Sequence, residues 1–566
     1  MAFVCDHCRS AALVRALIAA LLAGFTWAQS NAPELILRSD TRLIQVSVVA
    51  TDHKGRPVLD LKREDFLLFD DRRRREIRVF SSDRVQAAPV GVGPSGQHTF
   101  SNTLDERSVA SGITVIVLDS MNTKWTDQAQ AVRQVAKFLR QVQPEDRIAI
   151  YSIGRGGFQV LHDFTRDASD LVENLAHWNG EIAPPERGQK TSDPGTALDR
   201  VLRGRDAGRL ANQIAGANVH NSLGTMTALR AIAQRLEGVP GRKSLIWISD
   251  GFPELAWGNL AATAYGTDPR GPELMPSSTR RASGGEIHDS VGNSLSYENE
   301  FERAMKDVSQ ANIAIYPIEA SGLLTPMPSA SSADAPMSPE RFASQEGMQQ
   351  TMLSIAKKTG GLAFVNNNDI TGAIRTAIED SRVTYTLGFY PNSDKEDGKF
   401  HAISIKIEGR RDVTLRYRSG YFDEKFSATD LARRARELEQ AFWSPLDANA
   451  IPLTAEVERV GSGFASIRLN IDPARLSLTP QNGKHEGVAD VLILQRNEKG
   501  KVFERVNDTL QMNFSDASYV RLRTSGVPYR RTIALNPQAT AMRVVVRDVA
   551  TGNVGSLTIP TDVIGR

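Results

Sequence analysis

Apolar and polar positions follow two different rhythms along this chain, and the change between them falls near residue 111. From Thr41 to Phe80 they alternate singly. Leu43 to Ala50 reads as a strand, His53 to Arg56 as a turn, and Phe66 to Phe69 as a second strand. Asp70-Asp71-Arg72 is a tight polar connection before Ile77 to Phe80. Single alternation broken by turn residues predicts half-buried strands, so residues 33–83 are expected to form a small β module. The four consecutive charges Arg72 to Arg75 fit a solvated hairpin better than an anion-binding surface.

Residues 84–110 are rich in Pro, Gly and Ser and are expected to be a linker. After them, Ile113 to Leu118 is an unbroken apolar run, which suits a strand buried on both faces of a parallel sheet. Ala129, Val132, Ala136, Leu139 and Val142 then recur at helical spacing. Further apolar strands are predicted at Ile148–Tyr151, Leu245–Ile248, Ile313–Tyr316 and Leu362–Val365. Helices are predicted at Thr225–Leu236, Tyr297–Ser309, Gln349–Lys358 and Ile370–Asp380. Strand and helix in alternation predict a doubly wound parallel sheet of Rossmann-like type over residues 111–382. Three long segments, 181–218, 254–296 and 320–346, lack apolar periodicity and are expected to be insertions with partial disorder.

From Val383 the rhythm returns to strands at Tyr385–Tyr390, Ala402–Ile407 and Val413–Tyr417, which are too few for a domain of their own. One arrangement is that 383–423 completes the module of residues 33–83, with the α/β segment inserted between the halves. A charged connecting helix is expected over 427–444. Short strands with turns near Gly461, Gly483, Gly500 and Gly552 predict an all-β sandwich of immunoglobulin-like class over 450–566. The fold class is therefore multidomain: α/β plus all-β.

The start of the chain alters the chemistry expected of the rest. Arg9 and Arg15 form a basic start, Ala16 to Phe25 is apolar, and Thr26-Trp27-Ala28 offers small residues where a signal peptidase inspects them. Residues 1–28 are thus expected to be a removed export signal, since the apolar run is shorter than the ~20 residues that span a bilayer. Cys5 and Cys8, the C-x-x-C pair, lie inside that segment, so the mature chain would hold no disulfide and no thiolate site. Lys+Arg 68 against Asp+Glu 66 gives +2. Loss of Arg9, Arg15 and Asp6 would leave +1, which argues against a general nucleic-acid binder.

In a doubly wound sheet, ligands bind beyond the carboxyl ends of the strands. Two predicted strands run into an acidic residue there, Asp119 and Asp250, and a helix expected to begin near Thr225 would bring a hydroxyl to the same rim. Carboxylates with hydroxyls suit a hard divalent cation such as Mg²⁺ or Mn²⁺. The other reading of the same residues is that Asp119 and Asp250 cap loops through backbone amides.

Several short motifs, in this order and strand context, resemble a von Willebrand factor type A (VWA) domain. They are Asp119-Ser120-Met121-Asn122-Thr123 after a strand, Gly224-Thr225-Met226-Thr227 at a helix, and Ile248-Ser249-Asp250-Gly251 after another strand. Pro144 to Arg147, Asp163 to Thr165, Pro240 to Lys243, Thr359 to Gly361 and Arg418 to Phe422 resemble the exported VWA proteins of acidobacteria. The resemblance covers roughly residues 40–425. It implies a metal-ion-dependent adhesion site with Asp119, Thr123, Thr225 and Asp250 as metal-site residues, and a protein partner whose acidic side chain completes the ion's coordination. Met121 departs from the pattern, which has a serine there; a thioether is a poor ligand for Mg²⁺. Asn122 or a water could fill that place, but alternate residues of an extended chain point oppositely, so Asn122 is not a simple substitute for the serine.

Enzyme signatures are weak. Gly238 to Ser244 superficially resembles a phosphate loop but precedes its strand, and no H-E-x-x-H or G-x-S-x-G pattern occurs. The sequence is therefore expected to encode an exported, periplasmic or cell-surface binding protein without catalytic residues. The alternatives are a structural scaffold with a vestigial metal site and, further off, an undetected hydrolase.

Overall fold

The computed structural model describes residues 43–84, 99–103, 112–143, 146–154, 156–178, 207–252, 300–323, 339–391, 399–423 and 431–565. The expected export signal, the insertion 254–296 and most of the insertions 181–218 and 320–346 lie outside them.

In chain order the elements begin with β1 (Ile44–Thr51), β2 (Phe66–Asp70), β3 (Arg73–Arg75), β4 (Val79–Arg84) and β5 (Thr99–Ser101). The α/β segment follows as β6 (Ile113–Asp119), α1 (Trp125–Leu139), β7 (Arg147–Gly154), β8 (Gly157–Thr165), α2 (Ala168–His177) and α3 (Ala207–Leu236). It continues through β9 (Lys243–Ser249), a helix α4 over 300–310, β10 (Ile313–Glu319), α5 (Pro339–Thr359) and α6 (Ile370–Arg382). Next come β11 (Val383–Phe389), β12 (Phe400–Ile407), β13 (Thr414–Arg416), β14 (Gly420–Phe422) and α7 (Leu431–Trp443). The last stretch holds β15 (Leu453–Val460), β16 (Phe464–Ile471), β17 (Thr479–Gln481), β18 (Lys484–Arg496), β19 (Val502–Ser515), α8 (Asp516–Ser525), β20 (Val527–Ala534), β21 (Ala541–Asp548) and β22 (Val554–Pro560).

The α/β sheet has the order β10-β9-β6-β7-β8, parallel throughout except for β8, which runs antiparallel at one edge. Every residue of β6, β9 and β10 is buried. Their apolar runs are continuous because both faces are covered. Val115 and Val117 share a core with Leu229 and Ile232 of α3, Val308 of α4 and Ile355 of α5. Ile116 and Leu118, one pleat away, pack with Val135 and Phe138 of α1, Leu171 of α2 and Ile374 of α6.

Three features of this segment differ from expectation. The strand expected at Leu362–Val365 is a single bridge between Ile318 and Phe364. Gly360-Gly361 before it and Asn366 to Asn368 after it leave too few residues to extend the pairing. Strand β8 had no continuous apolar run to announce it, because its pattern is that of a half-exposed edge. Helix α3 starts 18 residues before Thr225, so that residue is inside a helix and no helix N-terminus meets the rim there. The stretch 207–218, the end of an insertion expected to be partly disordered, belongs to this helix: Ala, Leu and Gln there favour it without marking an apolar face.

Segments 44–84 and 383–423 are hydrogen-bonded to each other on either side of the α/β segment. Two four-stranded sheets result, β13-β1-β11-β4 and β14-β12-β2-β3. Ile44 pairs with Phe389, Val46 with Leu387 and Val48 with Tyr385. Their shared core includes Phe66, Leu68, Ile403 and Ile405. Inside it, the Tyr385 hydroxyl donates to the Val58 carbonyl at 2.9 Å. The polar connection after β2 is a two-residue turn with positive φ at Asp71 (45°) and Arg72 (68°). It returns as β3, where Arg75 pairs with Asp70 at 2.9 Å while Arg72, Arg73 and Arg74 stay exposed.

The C-terminal strands make two further antiparallel sheets, β20-β16-β15-β5 and β17-β18-β21-β22, with β19 paired to β18. They enclose one core containing Ile451, Ile467, Leu469, Val491, Val544 and Ile559. Two findings depart from the sequence reading. Strand β5 comes from the stretch expected to be a linker and pairs Phe100 with Ala455. Helix α8 interrupts the strands; Ser515 caps it by accepting from Ser518 N, and Gly526 ends it at φ 74°. None of its residues is buried, so apolar periodicity could not reveal it.

Candidate functional site

Strands β6 and β9 are adjacent and in register, with Leu118 opposite Ile248. Asp119 and Asp250 therefore leave the sheet side by side, the first 2% and the second 9% exposed. Thr225 is completely buried within α3. The loop from Ser120 to Lys124 joins these three positions.

Side chains fix that loop. Ser120 N donates to Ile153 O at 2.8 Å, extending the β6–β7 ladder by one bond. Gln128 of α1 donates from Nε2 to the carbonyls of Ser120 (3.1 Å) and Thr123 (2.8 Å). Asn221 of α3 donates to the carbonyl of Met121 at 3.0 Å. The Thr123 hydroxyl donates to the main-chain carbonyl of Asp119.

Met121 is turned into the core. Its sulfur lies 3.1 Å from where a Cβ on Gly224 would stand, and it packs against the cluster shared by α3 and the sheet. Asn122 goes the other way. Its backbone N–H donates to Asp119 Oδ1 (3.1 Å), and Nδ2 donates to Asp119 Oδ2 (2.8 Å) and Thr225 Oγ1 (3.2 Å). Asn122 was expected to point away from the carboxylates. The reason it does not is that the chain beyond Asp119 is a turn closed by the aspartate's own side chain, so strand alternation does not apply.

Asp119 Oδ2 also accepts from the indole N–H of the fully buried Trp247 at 3.1 Å. Burial nonetheless pushes the Asp119 carboxyl up to about 6, against the lowering effect of Asn122 and Trp247. Asp250 Oδ2 accepts from Lys124 N at 2.9 Å and so ties the start of α1 to the end of β9. Among the described residues, its other oxygen is buried with no hydrogen-bond partner. Burial, reinforced by the nearby Asp127, raises Asp250 to about 7 although the Lys124 amide opposes the shift. Immediately beyond Lys124, the Trp125 ring is 65% exposed.

Around Asp119 these groups do not fit a divalent cation, although Asp250 Oδ1 at the same rim is left without a hydrogen-bond partner among the described residues. The Asp119 oxygens already accept from Asn122 and Trp247, and Met121 offers no oxygen. The N–H of a carboxamide stands between Asp119 and Thr225.

A third acidic residue ends a strand, and the rule that selects Asp119 and Asp250 selects it as well. Glu319, fully buried at the end of β10, accepts from Gln349 Nε2 (2.9 and 3.0 Å), Asn366 N (2.7 Å) and the Ser321 hydroxyl (3.1 Å). These bonds make it a latch between β10, α5 and the 366–368 turn. Elsewhere, Asp70, Asp71 and His401 bring three ligand-type atoms together. Arg75 already neutralises Asp70, and Asp71 accepts from His401 (2.7 Å) and Ala402 N (2.9 Å), so that cluster reads as an anchor for the β2–β3 turn.

No family model matches the chain, and no curated protein matches it. Among solved structures it is similar to the VWA domain of SpRpn10, at 16% identity and a TM-score of 0.14, covering 28% of this chain and 84% of that one. Among the described residues no helix is long and apolar enough to cross a membrane.

Proposed function

We propose that this is an exported VWA-type protein that binds a protein partner at the carboxyl rim of its α/β sheet. In this reading the C-terminal strands, an immunoglobulin-like sandwich, and the β module are supports that present the rim. The observation that carries the reading is a rigid loop bearing an exposed tryptophan. Trp125 follows directly on a turn held by Gln128, Asn221 and Asp250. Exposed aromatic side chains on pre-organised backbone are the common anchors of protein interfaces, because little entropy is lost when they are covered. Location at the carboxyl ends of parallel strands, the usual ligand side of such sheets, supports the same rim.

The test is capture from cell-envelope extract by the immobilised full chain, beside Trp125→Ala. A species retained by the parent and lost with the variant, at unchanged thermal stability, is the expected result. Equal capture by both would remove the rim from consideration. The scaffold reading would then be preferred.

A further inference from the structure

We infer that the Asn122 carboxamide takes the place a divalent cation would hold at this rim, so that the site is assembled and works without metal. The inference rests on the VWA-type reading only for its expectation of a cation; the geometry behind it is independent of any partner.

A metal ion at such a rim would do two jobs. It would neutralise the carboxylate at the end of β6, and it would tie that carboxylate to the hydroxyl on α3. Asn122 does the second by hydrogen bonding, and in place of the first it offers the carboxylate N–H donors without a positive charge. Nδ2 bridges Asp119 Oδ2 and Thr225 Oγ1 at 2.8 and 3.2 Å, and the backbone N–H of the same residue takes Oδ1 at 3.1 Å. The indole of Trp247 supplies a further donor to Oδ2. A carboxylate that accepts several N–H bonds is stabilised in place without a counter-ion.

The neighbouring position has changed in a matching way. The side chain of Met121, where an oxygen ligand would be needed, fills the space left by the missing Cβ of Gly224 and joins the apolar core. Its thioether could not serve a hard cation in any orientation. The two adjacent residues thus act together, one removing a ligand and the other supplying the ion's substitute.

The isosteric variant Asn122→Asp puts an acceptor where the donor stands and sets two carboxylates against each other. Thermal melts of the full chain would be run in EDTA and in millimolar Mg²⁺ or Mn²⁺. The parent is expected to melt at the same temperature in both. Asn122→Asp is expected to melt several degrees lower in EDTA and to recover in the cation. The double variant M121S/N122S, which offers hydroxyls in place of the thioether and the amide, should likewise gain a chelator-reversible rise, and it serves if Asn122→Asp does not fold. A chelator-reversible rise in the parent that vanishes in Asp119→Ala would overturn the inference. So would indifference of the folded variants to cation, because Asn122 would then not be what replaces the ion. Neither result bears on capture through Trp125, which separates this inference from the proposed function.

Discussion

Asn102 and Leu453 are bonded to each other through main chain and side chain together. Asn102 N donates to Leu453 O at 3.3 Å, while Leu453 N donates to Asn102 Oδ1 at 2.7 Å. The amide of Asn102 also reaches the carbonyls of Ala448 (2.6 Å) and Ile451 (3.0 Å). A residue from a Ser- and Gly-rich stretch is thereby stitched into the C-terminal sheet, more than three hundred positions away in sequence.

Replacing it tests whether that stitch matters. Asn102 is 1% exposed, so Asn102→Ala would leave buried backbone groups unpaired. A loss of about 2–4 kcal/mol is expected. Urea unfolding should show a lower midpoint with an unchanged slope. A loss below about 1 kcal/mol would mean that β5 is dispensable.

A second junction couples the end of α3 to the turn before β15. Gly238 N donates to Asn449 Oδ1 at 3.0 Å, and Asn449 N donates to Gln234 O at 3.1 Å. A Cβ on Gly238 would stand 2.2 Å from Asn449 O, which is backbone and cannot yield cheaply. Gly238→Ala is expected to cost about 1–3 kcal/mol by overpacking. Hydrogen exchange should show lost protection around 444–451. Full protection in the variant would show that this contact is slack.

Lys243, at the start of β9, is 2% exposed and donates to the Val239 carbonyl at 2.6 Å. Burial lowers its amine from the usual 10.5 to about 7, against the opposing field of Glu237. Between these values the unfolded chain binds the extra proton, so this group's contribution to stability rises with pH from about 7 to 10.5. Below about 7 the folded state must carry the buried charge. Lys243→Met is expected to be more stable than the parent at pH 6, by on the order of 1 kcal/mol, with the gap closing toward pH 10. A pH-independent difference would show that the amine stays charged in the fold.

Trp125→Ala serves as a control on stability as well as a test of binding. A largely exposed side chain contributes little to the core, so the unfolding free energy should stay within about 0.5 kcal/mol of the parent's. A larger drop in differential scanning calorimetry would mean that the ring supports the loop, and loss of capture could then no longer be assigned to the interface.

Part of this architecture is legible in the sequence. The runs Ile113–Leu118, Ile148–Tyr151, Leu245–Ile248 and Ile313–Tyr316 fall on β6, β7, β9 and β10, because a strand covered on both faces is apolar at most of its positions. Asp119 and Asp250 could be placed at strand ends for the same reason: the run stops where the chain meets polar groups. Asn122 could not be placed, since its direction depends on the turn that Asp119 itself closes.

What the sequence by itself determined is local: where the apolar rhythm is continuous, where it alternates, and where turn residues end it. Gly461, Gly483, Gly500 and Gly552 show this, each adopting the positive φ that glycine allows without steric cost. Partners at long range were decided only in the tertiary structure. Nothing in the alternation of Ile44 to Thr51 names Val383 to Phe389 as its neighbour, and nothing in Thr99 to Ser101 names Leu453 to Val460. Backbone hydrogen bonds are alike for every residue, so periodicity tells which face of a strand is buried; which strand lies beside it is set by how the whole chain closes its cores.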